Sequence, residues 1–262
     1  MDIDPYLEDT LIALGAIYHE MAAKIEAPMF VDVGGYRAWR YLNLSEALAC
    51  FLKGVKVVST LNASMVLLRA GFVQEIGALC RMVDDYCNEI FFLLLPQDAE
   101  KYSKDQIQFL EDFFQEEFDK PTNPLAATQK RVNVPARKVH ATFGKLTKTE
   151  LDPADTQEML RTTHQALSGY VHGAYPHIME MFGGVKPHLN GMLGTPRMDE
   201  WRRQLIGYTY RALMVSVLVA RKLGLDETDR KVRKLLEEFE TGTGSKPAQT
   251  AADMLRKMKK RS

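Results

Sequence analysis

Apolar residues recur along the chain at intervals of three and four, while strict alternation bounded by turn residues is nearly absent. That period belongs to helices with one buried face. Local punctuation agrees. Asp4-Pro5 and Asp152-Pro153 each set a capping residue before a proline at the first helical position. Ser45 predicts the start of a helix running to about residue 60, and an apolar-periodic helix follows from about 64 to 95, where Pro96 stops it. Ser103 and Gln106 form a capping-box pattern ahead of IQFLEDFFQEEF. Further helices are expected at about 134–147, 153–182, 198–223 and 226–240, with Gly224 separating the last two. The pattern predicts an all-α fold, a single helical bundle of about seven or eight helices over residues 1–240. Residues 241–262, TGTGSKPAQT and then a stretch ending in MLRKMKKRS, read as a flexible linker and basic tail. Two glycine-rich stretches, 28–42 and 183–196, read as irregular loops long enough to cover a pocket.

Two helices carry residues that break the apolar pattern. On a single wheel for 64–95, Phe72, Ile76, Leu79, Cys80, Val83, Tyr86, Cys87 and Ile90 share one arc. Gln74, Arg81, Asp84, Asp85, Asn88 and Glu89 lie opposite, as a solvated face on which Arg81 pairs with Asp85. Arg69 falls within the apolar arc and Glu75 at its edge. A core-facing guanidinium needs partners, since an unpaired buried charge is very costly.

In the 153–182 helix, Leu160, Leu167, Val171, Ala174 and Ile178 define the core face. Arg161, His164, Ser168, Tyr175 and, further round, His172 form a polar stripe along its border, and His177 falls on the far side, toward solvent. Pro176 removes a hydrogen bond from the His172 carbonyl and predicts a kink. The two helices together suggest an interior polar pocket for a small ligand or a protein partner, built from Arg69, Glu75, His164, Ser168, His172 and Tyr175. If the pocket is catalytic, His172 is the candidate acid or base, Arg69 the phosphate clamp and Glu75 the group that orients either one.

Composition narrows the classes. Lys plus Arg equals Asp plus Glu at 34 each, so no global field draws the chain to nucleic acid or membrane. Charge is segregated locally: residues 98–119 carry eight acidic and two basic side chains, and residues 120–149 carry seven basic and none acidic. The simple reading is mutual complementation. Weak nucleic-acid binding through residues 120–149 and the tail is the alternative, and it would be steeply salt-dependent. Three cysteines, Cys50, Cys80 and Cys87, read as reduced core thiols, consistent with a cytoplasmic location. The acidic start MDIDPYLEDTL does not resemble a signal peptide. The longest apolar runs, 90–95 and 212–220, fall short of the ~20 residues a membrane span needs. No cofactor or metal is implied, because there is no His-x-x-x-His, no Glu-x-x-His and no short-spaced cysteine pair. Phosphate-loop, dinucleotide and G-x-S-x-G motifs are missing as well. The acidic run VDDYCNE lacks the second Asp-rich helix that diphosphate-binding magnesium sites use. Homodimerisation is suggested by apolar helices such as 205–220, which exceed what one bundle needs to bury.

RAGFVQE (69–75), Arg81 and Glu89 beyond it, and LSGYVHG (167–173) on a later helix give a combination that resembles uncharacterised bacterial all-α families. These are similar, distantly, to HEPN-like helical domains, over about residues 50–220. Many HEPN domains are metal-independent RNases, in which Arg-x(4–6)-His places a histidine base and an arginine on the scissile phosphate. This chain lacks that spacing: Arg137 to His140 and Arg161 to His164 are too short, and no arginine lies four to six residues before His172. The resemblance therefore implies a non-catalytic relative, a sensor or dimerising partner in a defence or toxin-antitoxin setting. The alternative it leaves is an RNase or nucleotide-processing enzyme.

Overall fold

The computed structural model describes residues 3–94, 102–129, 131, 133–146 and 153–245. It is an all-α bundle, with nine α-helices among those residues. In chain order they are α1 (Ile3–Ala22), α2 (Glu46–Ala70), α3 (Val73–Leu94), α4 (Lys104–Phe114), α5 (Ala136–Leu146), α6 (Pro153–Val171), α7 (Tyr175–Met179), α8 (Pro196–Lys222) and α9 (Asp226–Thr243). α3 is the centre, packed against α2, α5, α6 and α8. α2 lies on α1, α3, α8 and α4, and α9 closes the far side against α8 and α1.

The capping signals at Ser45 and Ser103 operate as expected, whereas α1 begins at Ile3, so Asp4 lies inside its first turn rather than at its cap, and Asp152 lies outside the described residues. The Ser45 hydroxyl accepts from the Leu48 N–H at 3.1 Å. At α4 the box is reciprocal, with Gln106 N–H donating to Ser103 Oγ at 3.2 Å and Ser103 N–H donating to Gln106 Oε1 at 2.8 Å. The Gln106 amide also donates to the Phe92 carbonyl at 2.8 Å, tying α4 to the end of α3. α9 ends at Thr243 with Gly244 left-handed, a few residues past the expected boundary. The rest of the linker and tail, residues 246–262, lies outside the described residues.

Two expectations are corrected. The stretch 28–42 is not irregular throughout: β1 (Met29–Asp32) and β2 (Arg37–Arg40) pair antiparallel, Met29 opposite Arg40. Four-residue strands are too short for alternation to register as a pattern. The boundary between the second and third helices also lies elsewhere. Gly71, at φ +80°, ends α2, and the Phe72 N–H reaches back to the Leu67 carbonyl at 2.9 Å, a Schellman closure. The 183–196 loop seals this corner, since the Met192 N–H donates to the Gly71 carbonyl at 2.7 Å and a Cβ on Gly71 would collide with the loop backbone.

Among the described residues α2 alone is long and apolar enough by composition to cross a membrane. Its packing explains the composition, for it buries Leu48, Phe51, Val57, Leu61, Met65 and Leu68 against its neighbours. Cys50, Cys80 and Cys87 are free and buried in the same core, and burial pushes the Cys87 thiol up to about 12.

Candidate functional site

The break at Gly71 decides the fate of Arg69. The residue belongs to α2 and does not share a wheel with Ile76, Cys80 and Cys87 on α3. It is exposed, with 55% of its side chain accessible, and pairs with Glu8 of α1 at 2.5 Å. Glu75, His172 and Tyr175 are exposed too. The expected pocket around Arg69 is therefore not assembled, and neither Arg69 nor Glu75 bonds to Ser168 or His172. Of the six residues, only His164 and Ser168 come together.

What they meet is Arg81. Its guanidinium pairs with Asp85 one turn along α3, donates from Nη2 to His164 Nε2, and donates from Nε to Ser168 Oγ at 3.3 Å. The Ser168 hydroxyl turns back to the His164 carbonyl at 2.8 Å. Beside this group lies a second one. Asp84 is fully buried, pairs with Arg211 of α8, and accepts from Asn88 Nδ2 at 3.1 Å. Arg211 also donates to Asn88 Oδ1 at 2.9 Å. On the face of α3 read as solvated, Asp84 and Asn88 are thus buried and Gln74, Arg81, Asp85 and Glu89 half-buried; the expected Arg81–Asp85 pair is present, and these polar residues link α3 to α6 and α8.

α5 adds His140, almost wholly buried, its ring edge-on to His164 with centroids 5.5 Å apart. A guanidinium has only donors, so His164 Nε2 must accept, leaving the ring neutral with its proton on Nδ1. Burial, and then the charge of Arg81, holds His164 below the usual imidazole range. His140 is lowered by burial and by its histidine neighbour. Burial raises Asp85 against the pull of Arg81. Burial disfavours the Arg211 cation, yet the Asp84 carboxylate more than offsets this and raises it.

The cluster holds two guanidinium groups and two carboxylates beside neutral imidazoles. It carries no surplus positive charge to attract an anion, and it is closed on itself. Asp84, Asn88, His140 and Arg211 were missed at the sequence level. The signal available was Arg211 itself, a charge inside the apolar run of α8 that needed a partner as much as Arg69 did.

The second unusual feature is α7. α6 stops at Val171 rather than kinking at Pro176: Gly173 is left-handed at φ +58°, the Ala174 N–H returns to the Gly169 carbonyl at 2.9 Å, and Pro176 opens the short α7. The helical phase is reset there, so Val171 and Ile178, expected in the core, are half exposed. His177, expected outside, turns in and packs on Tyr170 with ring centroids 4.3 Å apart. Glu180 also faces in, accepting from Gln74 Nε2 at 3.1 Å and from the Tyr170 hydroxyl at 3.0 Å, and lies 3.5 Å from Arg197. Tyr175, Ile178 and Met179 fall within an arc of about 100° on the outer side of α7, and Phe182 lies in the turn past its end. All four are exposed, Tyr175 at 76%, and the following turn adds Val185 at 94% and Leu189 at 70%.

Other surface features are accounted for in part. Arg131 pairs with Asp112 and Glu117, and Lys138 with Asp105, so these basic side chains of the 120–149 segment complement the acidic α4 region. Phe30 and Trp39 of the hairpin pack on each other and Arg37 lies over Phe30, while Trp39 stays 65% exposed. An open groove of about 450 Å³ between Leu44, Glu46, Leu110 and Phe114 lies apart from the residues expected to bind a ligand. No cluster of three or more His, Cys, Asp or Glu residues suited to a metal ion occurs among the described residues. Comparison with family models, with curated proteins and with solved structures returns no match.

Proposed function

We propose that this chain is a helical-bundle binding protein that engages a protein partner through the outer face of α7 and the turn that follows it. One observation carries the reading: α7 is amphipathic in the reversed sense, with His177 and Glu180 turned to the bundle and its apolar stripe turned to solvent. A helix whose apolar face meets no neighbour among the described residues of its own chain is a recognisable anchor for another chain. The interior polar cluster supports this role indirectly, by holding α6, from which α7 is suspended.

The test places a photo-reactive amino acid at Tyr175 and, as a control, at Ile12, an apolar residue of α1 that is 67% exposed. A partner that cross-links through position 175 and not through position 12 is the expected result. Equal labelling at both positions would remove the basis for the reading.

A second reading, metal-independent RNA cleavage of the HEPN kind, draws on His140, His164 and Arg81, two imidazoles beside a guanidinium. It requires His164 to exchange its Arg81 donor for a substrate hydroxyl before it can take a proton. Cleavage of RNA by clean protein that disappears in His164→Ala would favour it. Turnover unaffected by that substitution would exclude it.

A further inference from the structure

From the α7 surface we infer a specific occupant, a second copy of this chain docked face to face across a twofold axis. The inference rests on the partner-binding reading above and adds the identity of the partner.

Size is the first argument. Tyr175, Ile178, Met179, Phe182, Val185 and Leu189 together leave on the order of 600 Å² open to solvent, at the top of the range for the largest apolar patch of a monomer. A standard-sized interface buries about 800 Å² on each partner, so this face supplies most of what one side of such a contact needs.

Charge is the second. Between residues 175 and 189 the only formally charged side chains are Glu180 and Lys186, and Glu180 is turned inward to Gln74, Tyr170 and Arg197. A strongly charged partner finds nothing to pair with here. Lys186 is the one exposed formal charge between residues 175 and 189, so a second copy brings little like charge to the contact, and the chain's net charge of zero adds no repulsion at long range. A twofold contact needs only one self-compatible patch and closes without further growth.

The third argument is shape. α7 is one short helix raised on the end of α6, beside a turn in which Phe182 bridges Pro187. Tyr175 and Val185 are the most exposed apolar side chains of this face, at 76% and 94%, and Ile178 and Met179 between them are about half covered, so the face is uneven rather than flat.

The experiment measures the mass of the full chain by sedimentation equilibrium and light scattering over ~1 to 100 μM, for the native sequence, Ile178→Glu with Leu189→Glu, and Tyr175→Asp. The native chain is expected to approach twice its 29.7 kDa mass. Both variants should return to the monomer mass, with dimer affinity at least ~100-fold weaker and the helical circular dichroism unchanged. Tyr175→Asp guards against misfolding, because its side chain takes no part in the core.

A native chain monomeric throughout would overturn the proposal, as would a dimer that survives both variants. The photo-reactive residue at 175 separates this failure from failure of the broader reading. A monomeric chain that cross-links another protein, with the cross-link lost in Ile178→Glu, retains partner binding and loses the second copy. A monomeric chain that cross-links nothing loses both.

Discussion

The α3 cluster and α7 both place side chains on the side opposite to the one the hydrophobic pattern assigns. In the cluster, charged and amide groups of α3 point into the bundle. In α7, apolar groups point out of it. The difference lies in what meets them. Asp84 finds Arg211 and Asn88, and Arg81 finds Asp85, His164 and Ser168, so the buried charges are neutralised within the chain. Among the described residues, Tyr175, Ile178 and Val185 find no equivalent cover. An inversion answered inside the fold is architecture, and an inversion left unanswered points outward to a partner. Substitutions in the two regions should accordingly differ in kind: the first should cost stability, the second association.

The largest effect is expected from Asp84→Ala. Removing a fully buried carboxylate strands the Arg211 guanidinium and one face of Asn88, and breaking a buried pair from one side typically costs about 3 kcal/mol or more. The loss should appear as a lowered urea midpoint with an unchanged slope. Replacing both partners, Asp84→Leu with Arg211→Met, should recover much of it, because neither member of the pair is then left as an unpaired interior charge. A double variant no more stable than Asp84→Ala would mean that the pair contributes through some route other than mutual neutralisation.

This contrast also explains which parts of the molecule were legible in the sequence. Helix starts at Ser45 and Ser103 are local chemistry, one side chain and one nearby N–H, and local chemistry survives folding. The all-α class followed from periodicity for the same reason. Arg69 was misplaced because a wheel assumes an unbroken helix, and Gly71 breaks it two residues later. Asp84 and Asn88 were misplaced because a helix in the centre of a bundle is covered on more than its apolar face, and no wheel drawn for one helix shows how many neighbours it has. His164 and Ser168 were found in sequence, but their partner was one helix break away from the one assigned. The reversed face of α7 was hidden by the phase reset at Gly173.

Acid should loosen the cluster next. Both His140 and His164 have folded values below the ordinary imidazole range, with burial the leading cause in each. The folded chain therefore binds fewer protons than the unfolded one once the pH drops below about 6.5. The stability these residues contribute is complete above that pH and falls as the pH is lowered toward their folded values. A protonated His164 can no longer accept from Arg81, so the loss should be concentrated where α5 and α6 meet α3. Urea midpoints at pH 7.5 and 5.0 check the direction, and His164→Gln should flatten the dependence. Parallel curves for native and variant protein would place the titrating group elsewhere.

A smaller and more local effect is expected at the seam between the two regions. Gly169 of α6 lies directly under His177, and a Cβ there would overlap the imidazole. In Gly169→Ala the ring must swing away and give up its contact with Tyr170, worth about 1 kcal/mol, while alanine returns a similar amount in helix propensity. Global stability should then change little. Hydrogen exchange in residues 175–182 should rise, because α7 loses an inner contact. Unchanged protection there would show that Glu180 alone is enough to hold the helix.

The smallest effect on stability is expected from Ile178→Glu, and it separates the two regions most sharply. The side chain is half exposed, the change adds a charge to open surface, and such substitutions usually fall within about 0.5 kcal/mol. If the outer face of α7 served the bundle itself, this variant would unfold more readily, as a core variant does. If the face serves another chain, the urea midpoint should match that of the native protein while association is lost. Measured beside Asp84→Ala, the two variants should therefore exchange phenotypes: the buried charge is silent in binding per folded molecule, and the exposed isoleucine is silent in folding. A destabilisation of Ile178→Glu approaching that of Asp84→Ala would dissolve the distinction between an inversion the fold answers and one it leaves open.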